Sequence, residues 1–193
     1  MKNILIYCGS SAGHNEIYKK TATQVGETLA KQGLSLVYGG GSVGLMGTVA
    51  DAILANGGEA IGVIPSFMEP WEVQHKGLTE CIVTETMHTR KQIMAEKSDA
   101  VIALPGGWGT LDELFEILTW RQLGLHKMPI GVLNTNGFYD DLLKMLEKMV
   151  SEGFLKEANL KFLIVDDNIE SLLEKLKNDS YEGELVGKWI RRA

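Results

Sequence analysis

The chain has 193 residues, of which 45% are hydrophobic and 23% charged, and this composition is typical of one soluble globular domain spanning residues 1–193. Its formal net charge of −6 argues against a general nucleic-acid binder, and no stretch reaches the ~20 apolar residues of a membrane span, so neither nucleic acid nor membrane is an expected partner. Cys8 and Cys81 form no C-x-x-C motif, which indicates neither a disulfide framework nor a zinc site and favours a reducing cytoplasm as the location.

The hydrophobic pattern predicts strands that alternate with helices along the chain. Short apolar runs predict strands over residues 4–8, 36–38, 60–64, 81–84, 101–104, 130–133 and 162–165. Segments of helical period predict helices over residues 16–32, 45–56, 87–97, 110–123, 139–152 and 169–177. This β-α-β-α order is typical of an α/β fold in which helices cover both faces of a parallel sheet of about seven strands.

Two segments break this alternation. Residues 65–79 are irregular at a place where a crossover helix is expected, and loops of this length are often functional. Residues 178–193 have the pattern of a loosely packed C-terminal tail, in which Trp189 and Ile190 could anchor on a neighbour.

Residues 104–113, LPGGWGTLDE, combine a strand end, a glycine-rich turn and a helix predicted to begin at Thr110. Loops after parallel strands are where open α/β sheets bind ligands, and the N–H groups at a helix start attract anions. One alternative is purely structural, because Thr110 and Glu113 have the T-x-x-E spacing of a capping box. The turn holds three glycines, at positions 106, 107 and 109. Several glycines favour close approach of a ligand to the backbone, and therefore a binding site.

A second glycine cluster, GGGSVGLMG at residues 39–47, follows a predicted strand and opens a helix. It contains a G-x-G-x-x-G motif at Gly39, Gly41 and Gly44. A dinucleotide site would place this motif after the first strand, with an acidic residue about 20 positions later, where this chain has proline and serine. The cluster is therefore interpreted as a phosphate cradle for a smaller ligand, with Gly40, Gly41 and Gly44 as its contacts. No P-loop motif of the type G-x-x-x-x-G-K-[ST] is present.

Charged residues stand at unusual places. Arg90 and Lys91 lie near the start of a predicted helix, where the helix dipole disfavours cations, so an anionic ligand opposite them is favoured over a solvated pair. Asp112, Glu113 and Glu116 crowd the start of the next helix and would repel a phosphate bound directly against them. A ligand with a phosphate at one end and a developing positive charge at the other fits both observations, and a ribosyl group losing its base is such a ligand.

The remaining candidates are weaker. The four histidines are His14, His75, His88 and His126, and their spacing predicts no metal site. Trp108 lies inside the glycine turn and could stack on a base, although tryptophans are more often core or interface residues.

Several motifs together closely resemble the LOG family, the cytokinin riboside 5′-monophosphate phosphoribohydrolases, long mislabelled as lysine decarboxylases. These motifs are YCGSS at 7–11, YGGGSVGLMG at 38–47, MHTRK at 87–91, PGGWGTLDE at 105–113 and LTW at 118–120. The likeness covers nearly the whole chain. It implies a Rossmann-like fold, a homodimer, no cofactor, and hydrolysis of the N-glycosidic bond of adenosine-type 5′-monophosphates, including N6-prenylated ones, to free base and ribose 5-phosphate.

The resemblance also implies site residues, with Arg90 and Glu113 as the catalytic pair. The matching substrate-binding positions are Glu72, Arg90, Lys91, Gly107, Trp108, Gly109, Thr110, Leu111, Asp112, Glu113 and Thr119. Trp108 stands where Tyr is common in the family, and Asp112 where Glu is common. In the implied mechanism Glu113 stabilises positive charge at the anomeric carbon and orients water. Arg90 fixes the sugar phosphate, and residues 107–110 donate backbone N–H groups.

Two alternatives of other classes remain open at this point. A non-enzymatic nucleotide or cofactor carrier on the same scaffold would keep the glycine loops and bind without turnover. An amino-acid decarboxylase is disfavoured, because such enzymes commonly need a cofactor lysine that no motif here supplies. For the homodimer, Ile117, Leu118 and Met145 are predicted as apolar positions that face a second subunit.

Overall fold

The computed structural model describes residues 1–68 and 74–180 and contains one seven-stranded sheet in which every strand pairing is parallel. The strands are β1 (Asn3–Tyr7), β2 (Ser35–Tyr38), β3 (Ala60–Pro65), β4 (Glu80–Thr84), β5 (Ala100–Ala103), β6 (Ile130–Leu133) and β7 (Leu163–Asp166). The helices are α1 (Glu16–Lys31), α2 (Gly44–Ala55), α3 (Met87–Glu96), α4 (Trp108–Leu123), α5 (Asp140–Ser151), α6 (Glu157–Leu160) and α7 (Ile169–Lys177). Helices cover both faces of the sheet, so the predicted Rossmann-like α/β fold is confirmed.

The two faces of the sheet carry separate cores because neighbouring side chains of a strand point to opposite sides. Ile4 and Ile6 of β1 pack in a cluster with side chains of α1, α2 and α7. Leu5 and Tyr7 pack in a second cluster with side chains of α3, α4 and α5. The strands read as continuous apolar runs since both of their faces are buried.

Helix α4 illustrates how the sequence places one functional element. Its buried residues, Thr110, Leu114, Ile117 and Arg121, follow the spacing of three and four that forms one stripe along a helix. The helix ends at Gly124, whose φ of 76° is the left-handed conformation that glycine adopts without strain. The stripe holds α4 on the sheet and leaves its first turn at the carboxyl edge of the strands.

The strand order β4-β3-β2-β1-β5-β6-β7 creates a switch point between β1 and β5, where the chain changes its direction across the sheet. The loop after β1 and the turn after β5 meet there, and the Gly9 N–H donates to the Pro105 carbonyl oxygen at 3.0 Å. Ligands of open α/β sheets bind in the crevice at such a point. The fold therefore directs attention to residues 8–13 and 105–109.

The predicted elements all occur, with ends that shift by one or two residues. Helix α6 was missed, because four residues are too few to show a helical period. The irregular loop begins with a short 3-10 turn at Ser66–Met68. The loose packing expected for residues 178–193 stays a prediction, because residues 181–193 lie outside the described residues; before them, Asp179 forms a buried ion pair of 2.6 Å with Arg121 of α4. Glu72, Trp189 and Ile190 lie outside the described residues.

Within residues 1–68 and 74–180, no helix is long and apolar enough to cross a membrane.

Candidate active site

The glycine turn after β5 leads into α4 two residues earlier than the sequence predicted. Gly107 is the N-cap, and the Leu111 N–H donates to its carbonyl oxygen at 3.1 Å. Thr110 is therefore the third residue of the helix and not its cap, so the capping-box alternative is wrong. The Thr110 hydroxyl instead packs under Gly106, where any side chain would collide with it. Glu113 is therefore not part of a helix cap, and its role has to be sought in its other contacts.

The three glycines of this turn have different surroundings. A side-chain carbon at Gly106 would strike Thr110 and would lie 2.9 Å from the Gly9 nitrogen, so Gly106 is required by the fold. A side-chain carbon at Gly107 or Gly109 would meet no atom of the described residues within 4 Å. Because neither of these two glycines has a positive φ or a close neighbour, the fold does not require glycine at either position. Open space remains above the first turn of α4, whose N–H groups point out of the helix start.

Glu113 forms a buried ion pair with Arg90 of α3. The Arg90 Nη1 donates to Glu113 Oε1 at 3.0 Å, and the two side chains are only 7% and 11% exposed. The Arg90 Nε donates to the Val63 carbonyl oxygen at the end of β3, at 3.0 Å. Gly39 makes room for this guanidinium, since a side chain there would collide with Arg90 Nη2. The two predicted catalytic residues thus contact each other, and Arg90 is held by hydrogen bonds to β3 and α4.

Burial and the two neighbouring cations shift the pKa of Glu113 in opposite directions. Loss of hydration raises the pKa of its carboxyl above the ordinary range, while the charges of Arg90 and Lys91 oppose this shift. Tyr7 lies close enough for the Glu113 charge to add to burial in raising the pKa of the tyrosine. Arg90 and Lys91 favour the ionised form, and a carboxylate in such a poorly hydrated place interacts strongly with a developing positive charge.

Lys91 is held between two other carboxylates of α4. Its Nζ lies 2.6 Å from Asp112 Oδ2 and 3.1 Å from Glu116 Oε2. The two adjacent cations of α3 were expected opposite an anionic ligand, but their described partners are carboxylates of the protein. Direct contact of either cation with a ligand stays a prediction.

A cleft of about 300 Å³ lies at the switch point and shares Gly107 with the start of α4. Its lining includes the exposed Ser10 and Ser11 and the aromatic rings of Tyr18 and Phe138. These two rings meet edge to face, with centroids 6.0 Å apart. The cleft therefore combines hydroxyl groups and bare glycine backbone with aromatic side chains. Phe138 was missed by the sequence analysis, although its position after the strand next to β5 is a usable signal.

The glycine cluster at residues 39–47 packs largely against other residues of the protein. Gly40 and Gly44 have φ values of 79° and 62°, which favour glycine for conformational reasons alone. A side chain at Gly44 would also collide with the backbone of Ser10. At the start of α2, the Leu45 N–H donates to the Gly9 carbonyl oxygen at 3.0 Å. Phosphate binding by Gly40, Gly41 and Gly44 stays a prediction.

Other predicted site residues lie elsewhere. Thr119 is exposed and lines a separate cavity of about 150 Å³ beside α5, and its hydroxyl donates to the Phe115 carbonyl oxygen at 2.7 Å. Trp108 is 90% exposed at the first position of α4. Ile117 is 1% exposed in the core, so its predicted role at a subunit contact is wrong. Met145 remains exposed.

The described part of the chain contains no group of three or more His, Cys, Asp or Glu side chains arranged to hold a metal ion. His75 Nε2 donates to Asp51 Oδ1 at 3.0 Å, because the other ring nitrogen, Nδ1, accepts from the Gly77 N–H. His126 is bound on both ring nitrogens, to the Ile117 carbonyl oxygen and the Met128 N–H. Both histidines therefore have structural partners.

Known proteins resemble this chain in sequence over most of its length. The sequence model of a family described as "Possible lysine decarboxylase" matches residues 46–176. Cytokinin riboside 5′-monophosphate phosphoribohydrolase LOG2 of Arabidopsis thaliana is 41% identical over 190 residues, which cover 96% of this chain and 89% of that protein. Cytokinin riboside 5′-monophosphate phosphoribohydrolase LOG of Oryza sativa subsp. japonica is 44% identical over 188 residues, covering 97% and 78%.

Solved structures share the fold at lower identity. The molybdenum cofactor binding protein from Rippkaea orientalis has a TM-score of 0.69 and 25% identity, with 92% of this chain and 96% of that chain covered. The molybdenum cofactor carrier protein from Chlamydomonas reinhardtii has a TM-score of 0.67 and 22% identity, covering 92% and 97%. At these identities the second likeness is one of fold alone.

Proposed function

The chain belongs to the LOG family of cytokinin riboside 5′-monophosphate phosphoribohydrolases, and we propose that it hydrolyses the N-glycosidic bond of adenosine-type 5′-monophosphates, N6-prenylated ones included, to free base and ribose 5-phosphate. The observation that carries the proposal is the buried Arg90–Glu113 ion pair beside the open first turn of α4. It joins a carboxylate suited to a positive reacting centre with N–H groups suited to a phosphate.

In the proposed complex the 5′-phosphate accepts hydrogen bonds from the N–H groups of residues 107–110. Gly107 and Gly109 support this placement because their open surroundings allow a ligand to approach the backbone closely. The acidic side chains of α4 start farther along the helix, so phosphate and carboxylates do not share one spot. This arrangement orients the sugar with its reacting carbon towards Glu113.

The bond to the base then breaks with its electron pair moving to the base nitrogen, and positive charge develops at the anomeric carbon. Glu113 stabilises that charge and accepts a proton from the attacking water, whose oxygen forms the new bond to carbon. Arg90 keeps the Glu113 carboxylate in place through Nη1, and we propose that its remaining donors reach the sugar phosphate. The departing base takes up a proton from solvent and Glu113 returns its proton to solvent, so the net reaction adds hydroxyl to the sugar and hydrogen to the base.

We further propose a homodimer in which a second copy contributes Thr119. The family resemblance counts Thr119 among the substrate-binding positions, yet six residues along a helix turn it about 120° away from Glu113. Its exposed position beside α5 supports contact with a neighbouring subunit. The low cysteine content supports a reducing cytoplasm as the proposed location.

The test is a chromatographic assay of metal-free protein with AMP, isopentenyladenosine monophosphate and adenosine. We expect free base and ribose 5-phosphate in equal amounts from the nucleotides, and at least tenfold slower release from adenosine, because adenosine lacks the phosphate that the α4 amides bind. Tight binding of both nucleotides without release of base would contradict the hydrolase and favour the carrier alternative. Equal rates with adenosine would contradict the phosphate site.

A further inference from the structure

Five charged side chains meet between α3 and α4, and each carboxylate among them has a cation as partner. Arg90 pairs with Glu113, and Lys91 pairs with both Asp112 and Glu116. The sum of these five charges is −1, whereas the carboxylates alone would carry −3. Lys91 therefore removes a large part of the negative charge at the start of α4.

The ammonium group of Lys91 is bound by side chains of the protein itself. Lys91 is 9% exposed, and two of the three donors of its Nζ are used by Asp112 and Glu116. Burial alone would lower the pKa of Lys91, but the hydrogen bonds with Asp112 and Glu116 outweigh it and raise the pKa. The lysine thus stays charged, with its charge directed at α4.

Those two carboxylates lie near the proposed phosphate site. Asp112 follows Gly109 by three residues, which is about 5 Å along the helix axis. Charges at this separation interact within the screening length of about 8 Å at physiological ionic strength. Glu116 follows Gly109 by seven residues, but its carboxylate and that of Asp112 contact the same Lys91 Nζ, so the two negative charges lie close together. Without a compensating cation, Asp112 and Glu116 would oppose the binding of a phosphate at the first turn.

We propose that Lys91 is a positioning residue that offsets about half of the negative charge of Asp112 and Glu116, so that a nucleotide 5′-phosphate can bind at the first turn of α4, and that it does this without contacting the substrate. This inference rests on the proposed function and gives Lys91 a role different from the direct substrate contact that the family resemblance implies.

The same charge influences Glu113. The groups facing its carboxyl are Arg90 and Lys91 of α3, Asp112 and Glu116 of α4, and Tyr7 and Cys8 of β1. Lys91 lowers the pKa of Glu113 and Asp112 raises it. Loss of Lys91 therefore moves the acid limb of the kcat/KM profile to higher pH, and loss of the Asp112 charge moves it to lower pH.

Four variants test the inference: Lys91→Met, Asp112→Asn, Glu116→Gln and the double variant Lys91→Met with Glu116→Gln. Lys91→Met is expected to raise KM for AMP about five- to tenfold, with a shifted acid limb. Asp112→Asn and Glu116→Gln are each expected to lower KM, and the double variant should regain most of the loss. Direct contact predicts the opposite: Asp112→Asn would raise KM, and the double variant would be no better than Lys91→Met. Either result would overturn the proposal.

Folding and turnover are separated from this test. Lys91→Met leaves two carboxylates without their cation and could unfold, so circular dichroism checks every variant. Asp112→Asn alters a 63% exposed side chain and decides the direction of the effect by itself. Calorimetric titration with ribose 5-phosphate repeats the series without turnover. If the wild type hydrolyses no nucleotide, the proposed function fails, and the order of these affinities still decides the role of Lys91.

Discussion

The two glycine-rich turns of this protein resemble each other in sequence and differ in what their glycines do. In the turn after β2, side chains at Gly39, Gly44 and Gly47 would collide with Arg90, Ser10 and Ser42 respectively. In the turn after β5, Gly107 and Gly109 face open space. The glycines of the turn after β2 allow close packing within the protein. Gly107 and Gly109 of the turn after β5 instead leave backbone accessible to a ligand in the cleft.

This difference separates two reasons for glycine that a motif cannot separate. A G-x-G-x-x-G sequence is satisfied equally by close packing of protein backbone and by close approach of a ligand. Only the surroundings of each missing side chain decide between them. Substitutions in and beside the two turns test this assignment, and the largest effect is expected at Glu113.

Glu113, the carboxylate in the helix that follows the turn after β5, should have the largest effect on the chemistry. Glu113→Gln is expected to lower kcat for AMP by at least about 10², because it removes the charge that stabilises the reacting centre and keeps the shape of the side chain. Steady-state kinetics with AMP measures this. Glu147→Gln, on the exposed surface of α5, is the matched control and should leave kcat unchanged. Normal turnover by Glu113→Gln would restrict Glu113 to a structural role.

The turn after β2 should influence the chemistry only through the position of Arg90. Gly39→Ala places a methyl group against the buried guanidinium, which must shift away from Glu113. A displacement of this kind is expected to lower kcat/KM by about 10- to 100-fold, with the protein still folded. Gly77→Ala, at a glycine without a positive φ that does not line the cleft, controls for the added methyl. Unchanged kcat/KM with normal folding would show that the position of Arg90 is unimportant.

Alanine in place of one glycine in the first turn of α2 and one in the first turn of α4 should have opposite effects on stability. Gly47→Ala in α2 collides with the Ser42 backbone and is expected to lower the free energy of unfolding by about 1–3 kcal/mol. Gly109→Ala in α4 has free space and is expected to raise it by up to about 1 kcal/mol, since alanine favours helix.

Urea unfolding gives these stabilities, and calorimetry with ribose 5-phosphate gives the affinities. Gly109→Ala should bind ribose 5-phosphate several-fold more weakly although it is more stable, because its methyl group lies where the ligand approaches. Unaltered affinity of Gly109→Ala would show that no ligand comes close to this backbone.

The smallest effect is expected for Trp108→Ala. The side chain is 90% exposed, so the free energy of unfolding should change by less than about 0.5 kcal/mol. If the ring stacks on the base, KM for AMP should rise several-fold, while the affinity for ribose 5-phosphate, which has no base, stays the same. A loss of affinity for both ligands would instead place Trp108 in the phosphate site.

Much of the fold follows from the sequence, because it depends on local patterns. Residues 130–133 are the strand that the apolar run predicts, and α7 has its predicted bounds. The start of α4 was placed two residues late, since Gly109 is a poor helix former and the spacing of Thr110 and Glu113 imitates a cap. In the structure, the Leu111 N–H donates to the Gly107 carbonyl oxygen, and the helix begins at Trp108.

The contacts of the candidate site were less predictable. The chemical types at Arg90, Lys91 and Glu113 were recognisable in the sequence, but their pairing depends on how α3 approaches α4, which is a tertiary property. The same is true of Gly39, whose role depends on a guanidinium that comes from an element about 50 residues later in the chain. Periodicity and spacing carry no information on such approaches.

The most direct test of the difference between the two turns is an amide NMR titration of wild-type protein with ribose 5-phosphate. We expect the largest shifts at the N–H groups of Gly107, Gly109 and Thr110, with small shifts at Gly40 and Gly44. Saturating shifts concentrated at Gly40 and Gly44, with the α4 amides unmoved, would contradict the account and assign phosphate binding to the turn after β2.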